Sequence, residues 1–295
     1  MKVKRGIILA GGTAARLKPI TSLISKHLLP IYNKPMIYYP LSTLMLGGIR
    51  EYLIITNPSY LKLYQDLLGY GDNLGINIRY KVQKKPEGLP QAFIIGEKFI
   101  DNEPVCLNLG DHIFFGNDVN RLVKKNINSF KKTTIFAYRY KKPNEYGVIN
   151  LDKKNRPISI LEKPFKPKSN LVVCGLYIYD KNVVELSKSL KFSKRGELEI
   201  SDLNNLYLKN NTLNVEIIDK KNHWIDAGSP EKIFEASKLI ESIEKRKKSY
   251  IGFPEIAALK KRYITINDFT KLIRNYEGNH YGRILNTFLS KNFIN

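Results

Sequence analysis

The sequence predicts an α/β protein: a mostly parallel sheet covered by helices on both faces, extended by a strand-rich insert and closed by a helical C-terminal segment. Three observations carry that expectation. Apolar runs of strand length alternate with amphipathic runs of helix length from the N-terminus, which is the rhythm of βαβ units. The first apolar run empties into two glycines, at the carboxyl end of a strand where open α/β sheets bind ligands. With 295 residues, 43% of them hydrophobic, the chain has enough apolar surface for a sizeable core.

Taken in order, GIILA (6–10) reads as a buried strand and MIYYPLSTLMLGG (36–48) as a helix. EYLIIT (51–56) is a second strand, followed by a helical stretch ending near Leu68. INIRYKVQ (76–83) leads to helical QAFIIGEKFI (91–100), and VCLNLGD (105–111) to VNRLVKKNINSF (119–130). From 133 to 180 the pattern turns strand-rich, through TTIFAYRY, YGVIN, ISILEK and LVVCGLYIYD. Helices return at 181–190 and 197–209, a strand NVEIID lies at 214–219, and WIDAG precedes a long helix from about 230. From Phe253 onward the Tyr, Leu and Phe positions read as a helical appendage. No repeat or low-complexity linker interrupts the chain. The expected division is an α/β body over residues 1–250, strand-rich at about 133–228, with a helical segment over 251–295 packed on it.

Lys and Arg number 49 against 27 acids, a net charge of +22. A charge of that size raises nucleic acid or an anionic membrane as a partner. Here 37 of the cations are Lys and 12 are Arg, spread through the chain without an Arg-aromatic patch, so neither partner is expected. The run EKRKK (244–248) is expected on the solvated face of a helix. Cys106 and Cys174 sit in apolar strand-like runs, where a thiol is a small buried hydrophobe and not half of a disulfide. GIILA is too short for a signal peptide and no stretch approaches a membrane span, so a cytoplasmic, reducing setting is expected.

Chemistry is therefore sought in the loops after residues 10, 83 and 110. Gly11 and Gly12 let backbone N–H groups approach a ligand closely, while Arg16 and Lys26 add positive charge around the same loop; together they suit a polyphosphate. Neither G-x-x-x-x-G-K-[ST] nor G-x-G-x-x-G is present, and a tight strand-to-helix turn with solvent-facing cations fits the same residues. LGDHIF ends a core strand on Asp111, which either holds a metal beside phosphates or caps the strand. WIDAG supplies a second carboxylate, Asp226, where an unpaired charge would be costly unless something cationic meets it. Mg²⁺ held by one or two carboxylates and substrate phosphates is the arrangement of nucleotidyl transfer. ILEKP places Glu162 beside Lys163 at a strand end and KRGELEISD places Arg195 before a helix. Such a carboxylate accepts bonds from sugar hydroxyls and such cations grip a monophosphate, or all three form surface ion pairs.

These residues belong to longer blocks: LAGG with Arg16, Leu17 and Pro19; SKHLLPIYNKPMIYYPLSTLMLGGIR; YKVQKKPEGLPQAFIIGE; LGDHIFFG; EYGV; LEKP; GLYIYD; RGELEISDLN; and W-x-D-x-G. Over nearly the whole length the sequence resembles the sugar nucleotidyltransferases, and among them the bacterial glucose-1-phosphate thymidylyltransferases. The resemblance implies a Rossmann-like fold and the Mg²⁺-dependent joining of dTTP and α-D-glucose 1-phosphate to give dTDP-glucose and pyrophosphate. It implies a triphosphate cradle at Gly11, Gly12, Arg16 and Lys26, thymine contacts at Gln83 and Gly88, and metal carboxylates at Asp111 and Asp226. It also implies sugar contacts at Gly147, Glu162 and Val173, with Lys163 and Arg195 on the sugar phosphate. Homotetramers and a second nucleotide pocket near the C-terminal helices belong to the same family; FPEIAALKK (253–261) resembles that region only in part.

The chain departs from the family at four positions. Ala14 and Ala15 replace the third Gly and the Thr of G-G-x-G-T-R, which removes a hydroxyl and costs roughly 1 kcal/mol if the lost glycine had φ > 0. His27 and His112 stand where the family usually carries Gln and Asn. A ring titrating near its ordinary pKa of about 6.5 beside the metal site would make activity pH-sensitive. These changes leave two alternatives to the active enzyme: the same fold with a drifted, regulatory nucleotide-sugar site, or a uridylyltransferase with the same chemistry.

Overall fold

The computed structural model describes residues 1–154, 156–247 and 249–294. Along the first half run β1 (Arg5–Ala10), β2 (Pro30–Ile31), β3 (Lys34–Pro35), α1 (Tyr38–Gly47), β4 (Glu51–Thr56), α2 (Leu61–Leu68), β5 (Asn77–Val82), α3 (Gln91–Ile95), α4 (Glu97–Ile100), β6 (Val105–Leu109), β7 (His112–Phe115) and α5 (Asn117–Asn128). The second half adds β8 (Thr133–Arg139), β9 (Gly147–Leu151), β10 (Pro157–Glu162), β11 (Leu171–Tyr179), α6 (Val183–Ser189), α7 (Ile200–Lys209), β12 (Leu213–Ile217), β13 (His223–Asp226) and α8 (Pro230–Lys247). Three helices close the chain: α9 (Pro254–Lys260), α10 (Ile266–Arg274) and α11 (His280–Leu289).

The main sheet is mixed, in the order β10-β9-β11-β6-β1-β4-β5, with β8 on β11 and β12 on β8. β1, β4, β5 and β6 are parallel, as the alternation of strands and helices in the first half requires. β11 joins them antiparallel to β6 and carries the insert, pairing with both β8 and β9. Its register shifts between Val173 and Tyr177, around Gly175 at φ 66°. The two faces of the sheet bury separate cores. Ile8, Ile54 and Cys106 face α1, α5 and the C-terminal helices, while Ile7, Leu9, Leu53 and Leu107 face α3, α4, α6 and α7. That alternation is the period-2 consequence of a sheet covered on both sides. The C-terminal helices add Phe253, Ala257, Phe269 and Phe288 to the same core as α1. Cys106 and Cys174 are buried free thiols.

Beside the main sheet, β7 and β13 form a two-stranded antiparallel ladder that the sequence did not suggest, with His112 opposite Asp226. It packs with the β2–β3 hairpin and α8 around a third core containing Ile31, Tyr39, Ile113 and Ala236. The run EKRKK only partly meets its expectation. Lys245 pairs with Glu241 on the exposed face of α8, but Glu244 turns inward to the buried Lys34 ammonium, which requires a counter-charge; Lys248 lies outside the described residues. Among the described residues no helix is long and apolar enough to cross a membrane.

Candidate active site

A cleft of about 510 Å³ lies between the carboxyl ends of the parallel strands and the insert, and every candidate phosphate, base, metal and sugar residue named above lines it. The first wall is the loop after β1. Gly11 packs so closely on Gln83 that a Cβ there would strike the Gln83 amide oxygen. Gln83 is oriented by its Nε2–H, which donates to Gln91 Oε1 at 2.6 Å, and Gln91 in turn donates to Glu87 at 2.9 Å. Gly88, at φ 112°, crosses the Leu198 backbone where no side chain fits. Ala14 does adopt the left-handed conformation, at φ 46° and ψ 35°, so the glycine usual at this position is one that conformation favours. Its carbonyl accepts the Thr21 hydroxyl at 3.0 Å, which ties the loop to the next turn. A short helical turn over Ala15–Leu17 then carries Arg16 across to the segment after β13. A Cβ on Gly228 would lie 3.0 Å from the Arg16 guanidinium and 2.8 Å from Asp226 Oδ1.

The second wall is the meeting of two distant aspartates. β7 and β13 pair with His112 opposite Asp226, and the Ala227 N–H donates to the Asp111 carbonyl at 2.9 Å. Ligand atoms of Asp111, His112 and Asp226 consequently lie within 4.8 Å of one another, a group able to hold a metal ion. Each carboxylate also has a lysine: Lys26 Nζ is 2.5 Å from Asp111 Oδ2, and Lys232 Nζ is 3.5 Å from Asp226 Oδ2. Burial alone would raise the Asp111 carboxyl, but the Lys26 ammonium overcomes it and holds it well below the usual range. The two carboxylates supply hard oxygen donors that fit a divalent ion shared with phosphates.

The third wall is the insert. Glu162 accepts the Ser201 hydroxyl at 2.5 Å, and burial raises its carboxyl above the ordinary value. Gly147 lies against the same hydroxyl, with Val173 beside it. Lys163 takes a left-handed backbone, φ 42°, that turns the chain at the end of β10. Arg195 is enclosed by carboxylates, 2.6 Å from Glu199, 3.5 Å from Glu197 and 3.7 Å from Glu162. Its charge is balanced within the protein, so a phosphate there would compete with three acids.

The histidines part company. His27 is buried, accompanied by the Ser25 and Tyr64 hydroxyls, and burial pushes its imidazole down to about 3. It therefore stays neutral, and the pH sensitivity expected of a ring titrating near 6.5 does not apply to it. His112 Nδ1 lies 2.7 Å from the Cys174 carbonyl oxygen and 3.0 Å from the Trp224 indole nitrogen, and its tautomer decides whether it donates to the first or accepts from the second. Three participants were not singled out from sequence. Tyr146 donates to Asp226 at 3.0 Å, Ser201 holds Glu162, and Lys232 touches Asp226, Glu145 and Tyr146. Tyr146 lies inside the EYGV block and Ser201 inside RGELEISD, so both were within reach; Lys232 looks like any solvated helix-start lysine.

Comparison with known proteins gives the family of the chain. The family model described as nucleotidyl transferase matches residues 5–243. The chain is 46% identical to the glucose-1-phosphate thymidylyltransferase of Neisseria meningitidis serogroup A, covering 97% of this chain and 100% of that one. It is 42% identical to the protein of the same name from Mycobacterium tuberculosis, over 98% of this chain and 100% of the relative. Among solved structures, a Bacillus anthracis protein assigned as a glucose-1-phosphate thymidylyltransferase, in complex with sucrose, superposes with a TM-score of 0.74 at 38% identity, covering 80% of this chain and 95% of its own. A UDP-glucose pyrophosphorylase complexed with UDP-glucose gives 0.72 at 25% identity, over 81% and 99%. With a model matched over most of its length and full-length relatives well above 30% identity, the chain belongs to the nucleotidyl transferase family.

Proposed function

We propose that this chain is a glucose-1-phosphate thymidylyltransferase, transferring a thymidylyl group from dTTP to α-D-glucose 1-phosphate in dTDP-sugar synthesis. The observation that carries the reading is the β7–β13 ladder, which sets Asp111 beside Asp226 with Lys26 and Arg16 at the same edge of the cleft. The attacking oxygen belongs to a phosphate already ionised at neutral pH, so the reaction needs no general base. It needs a dianion brought against a polyanion in line with the leaving group. Backbone N–H groups at Gly11 and Gly12 cradle the triphosphate, and Arg16 stabilises charge growing on the pyrophosphate as the bond between the α-phosphorus and its bridging oxygen breaks. Lys26 stands beside the α-phosphate. Gln83 and Gly88 read the base; Gly147, Glu162 and Val173 hold the sugar; Lys163 and Arg195 take its phosphate. Asp111 and Asp226 would hold Mg²⁺, which supplies charge neutralisation on the phosphates.

The reading extends to a cytoplasmic homotetramer, as the family resemblance implies; light scattering of the purified protein tests the assembly. The activity is tested by pyrophosphate release with dTTP, UTP, ATP and GTP against several sugar 1-phosphates, with and without Mg²⁺. Fastest turnover with dTTP and glucose 1-phosphate, dependent on Mg²⁺, is expected. Fastest turnover with UTP makes it a uridylyltransferase, and dTDP-glucose binding without turnover makes it a regulatory site.

A further inference from the structure

Asp226 is met by an ammonium that the proposed chemistry does not use. Lys232 stands in the first turn of α8, where the helix dipole disfavours a cation. Its side chain is only 19% exposed, and its Nζ is held from three sides. It lies 3.5 Å from Asp226 Oδ2 and 3.1 Å from Glu145 Oε2, and donates to the Tyr146 hydroxyl at 2.8 Å. The Tyr146 hydroxyl in turn donates to Asp226 Oδ2 at 3.0 Å. A cation retained against the dipole, with two carboxylates around it, serves those carboxylates.

We propose that Lys232 is an exchangeable counter-ion, neutralising Asp226 while no divalent ion is present and passing to Glu145 when an ion takes Asp226. This rests on the reading of Asp111 and Asp226 as metal carboxylates. A doubly charged ion on Asp226 repels an ammonium beside the same oxygen more strongly than one carboxylate attracts it. Glu145 is already in contact, so the exchange needs little movement and strands no charge in a half-buried site. Lys232 is thus a positioning residue: it competes with the metal and keeps Asp226 from drifting or collapsing onto Arg16 in the resting site.

The test is Mn²⁺ binding to the nucleotide-free protein, read by electron paramagnetic resonance of the free ion, so that neither nucleotide nor sugar preference enters. Lys232→Gln is expected to bind Mn²⁺ at least fivefold tighter than wild type, and Lys232→Arg to stay within twofold of it. Glu145→Gln, which removes the alternative partner, is expected to bind at least threefold weaker. In the Lys232→Gln background the Glu145 effect should shrink to less than twofold, because nothing is left to transfer. Unchanged or weaker Mn²⁺ binding in Lys232→Gln, or additive effects of the two substitutions, overturns the proposal. Asp226→Asn separates the two levels. If it leaves Mn²⁺ binding intact, the metal reading falls and takes this one with it; if it abolishes binding while Lys232→Gln changes nothing, only the counter-ion role fails.

Discussion

Two ionic centres use the same chemistry under opposite conditions. At the cleft, the side chains of Lys26 and Asp111 keep 16% and 13% of their exposure and face space where phosphates would sit. Beneath the C-terminal helices, Lys34 and Glu244 keep 0% and 7% and are 3.0 Å apart. The Phe253 ring covers the Lys34 ammonium at 4.0 Å, and the buried Glu255 accepts the Tyr281 and Tyr276 hydroxyls nearby. The first centre has partners that a ligand can replace; in the second the ammonium is fully buried beneath a ring, between Glu244 and the further carboxylate of Glu255. A charge placed for chemistry stays reachable, whereas a charge placed for architecture is sealed and fully paired. The buried pair lies one short hairpin from the cleft pair. Lys34 is in β3, whose partner β2 follows directly on the Lys26–Leu28 turn, and Ile37 N–H donates to the His27 carbonyl at 2.8 Å. The sealed centre thus fastens the segment that delivers Lys26.

Breaking the sealed centre should give the largest change. Lys34→Ala leaves Glu244 buried without a counter-charge and is expected to cost about 3–5 kcal/mol in urea unfolding. A loss under 1 kcal/mol would make the two centres equivalent. The reachable centre should respond in rate and not in stability. Arg16→Ala or Asp111→Asn is expected to lose more than a hundredfold in turnover, roughly 3 kcal/mol of barrier, with an unfolding midpoint close to wild type. Near-normal rates in either variant would remove the proposed role.

The contrast sharpens with pH. Burial pulls the Lys34 ammonium down to about 8 from its ordinary 10.5, against the opposing pull of Glu244. Between those values the unfolded chain holds more protons than the folded one, so unfolding free energy rises with pH. Over the first unit above pH 8 the gain should be about 1 kcal/mol relative to a Lys34→Met, Glu244→Leu double variant, in which neither group titrates. Identical slopes in the two proteins would show that Lys34 keeps its proton throughout. The smallest effect is expected at the glycine loop. Ala14→Gly relieves a left-handed alanine and should stabilise by up to about 1 kcal/mol in thermal melts, with turnover within threefold of wild type. Destabilisation by the same change would mean that the surrounding loop compensates for alanine.

Much of the fold was legible in the residues because its elements are long and strongly patterned. EYLIIT became β4 over the same residues, and the helix expected at 119–130 runs over 117–128. Among the site residues, the glycine loop and its cations could be read because a strand ending in two glycines restricts what can follow. Sequence also located Asp111 at a strand end and Asp226 in a short apolar run after the Trp. It did not reveal β7, four residues long, or that β7 pairs with β13. Nor did it distinguish Lys232 from a surface lysine, or Glu244 from the cations around it.

The sequence by itself determined which of the longer segments are strands and helices, which loops are bare of side chains, and which side chains bring charge to them. Those properties depend on neighbours a few positions away. Only the tertiary structure decided that His112 would lie opposite Asp226, that Arg195 would be enclosed by three acids, and that one helix would carry both a buried glutamate and the lysine that meets Asp226. The physical reason is that pairing between short, distant strands and the placement of single charges are set by packing. Packing sums over the whole chain and leaves no local periodicity to read.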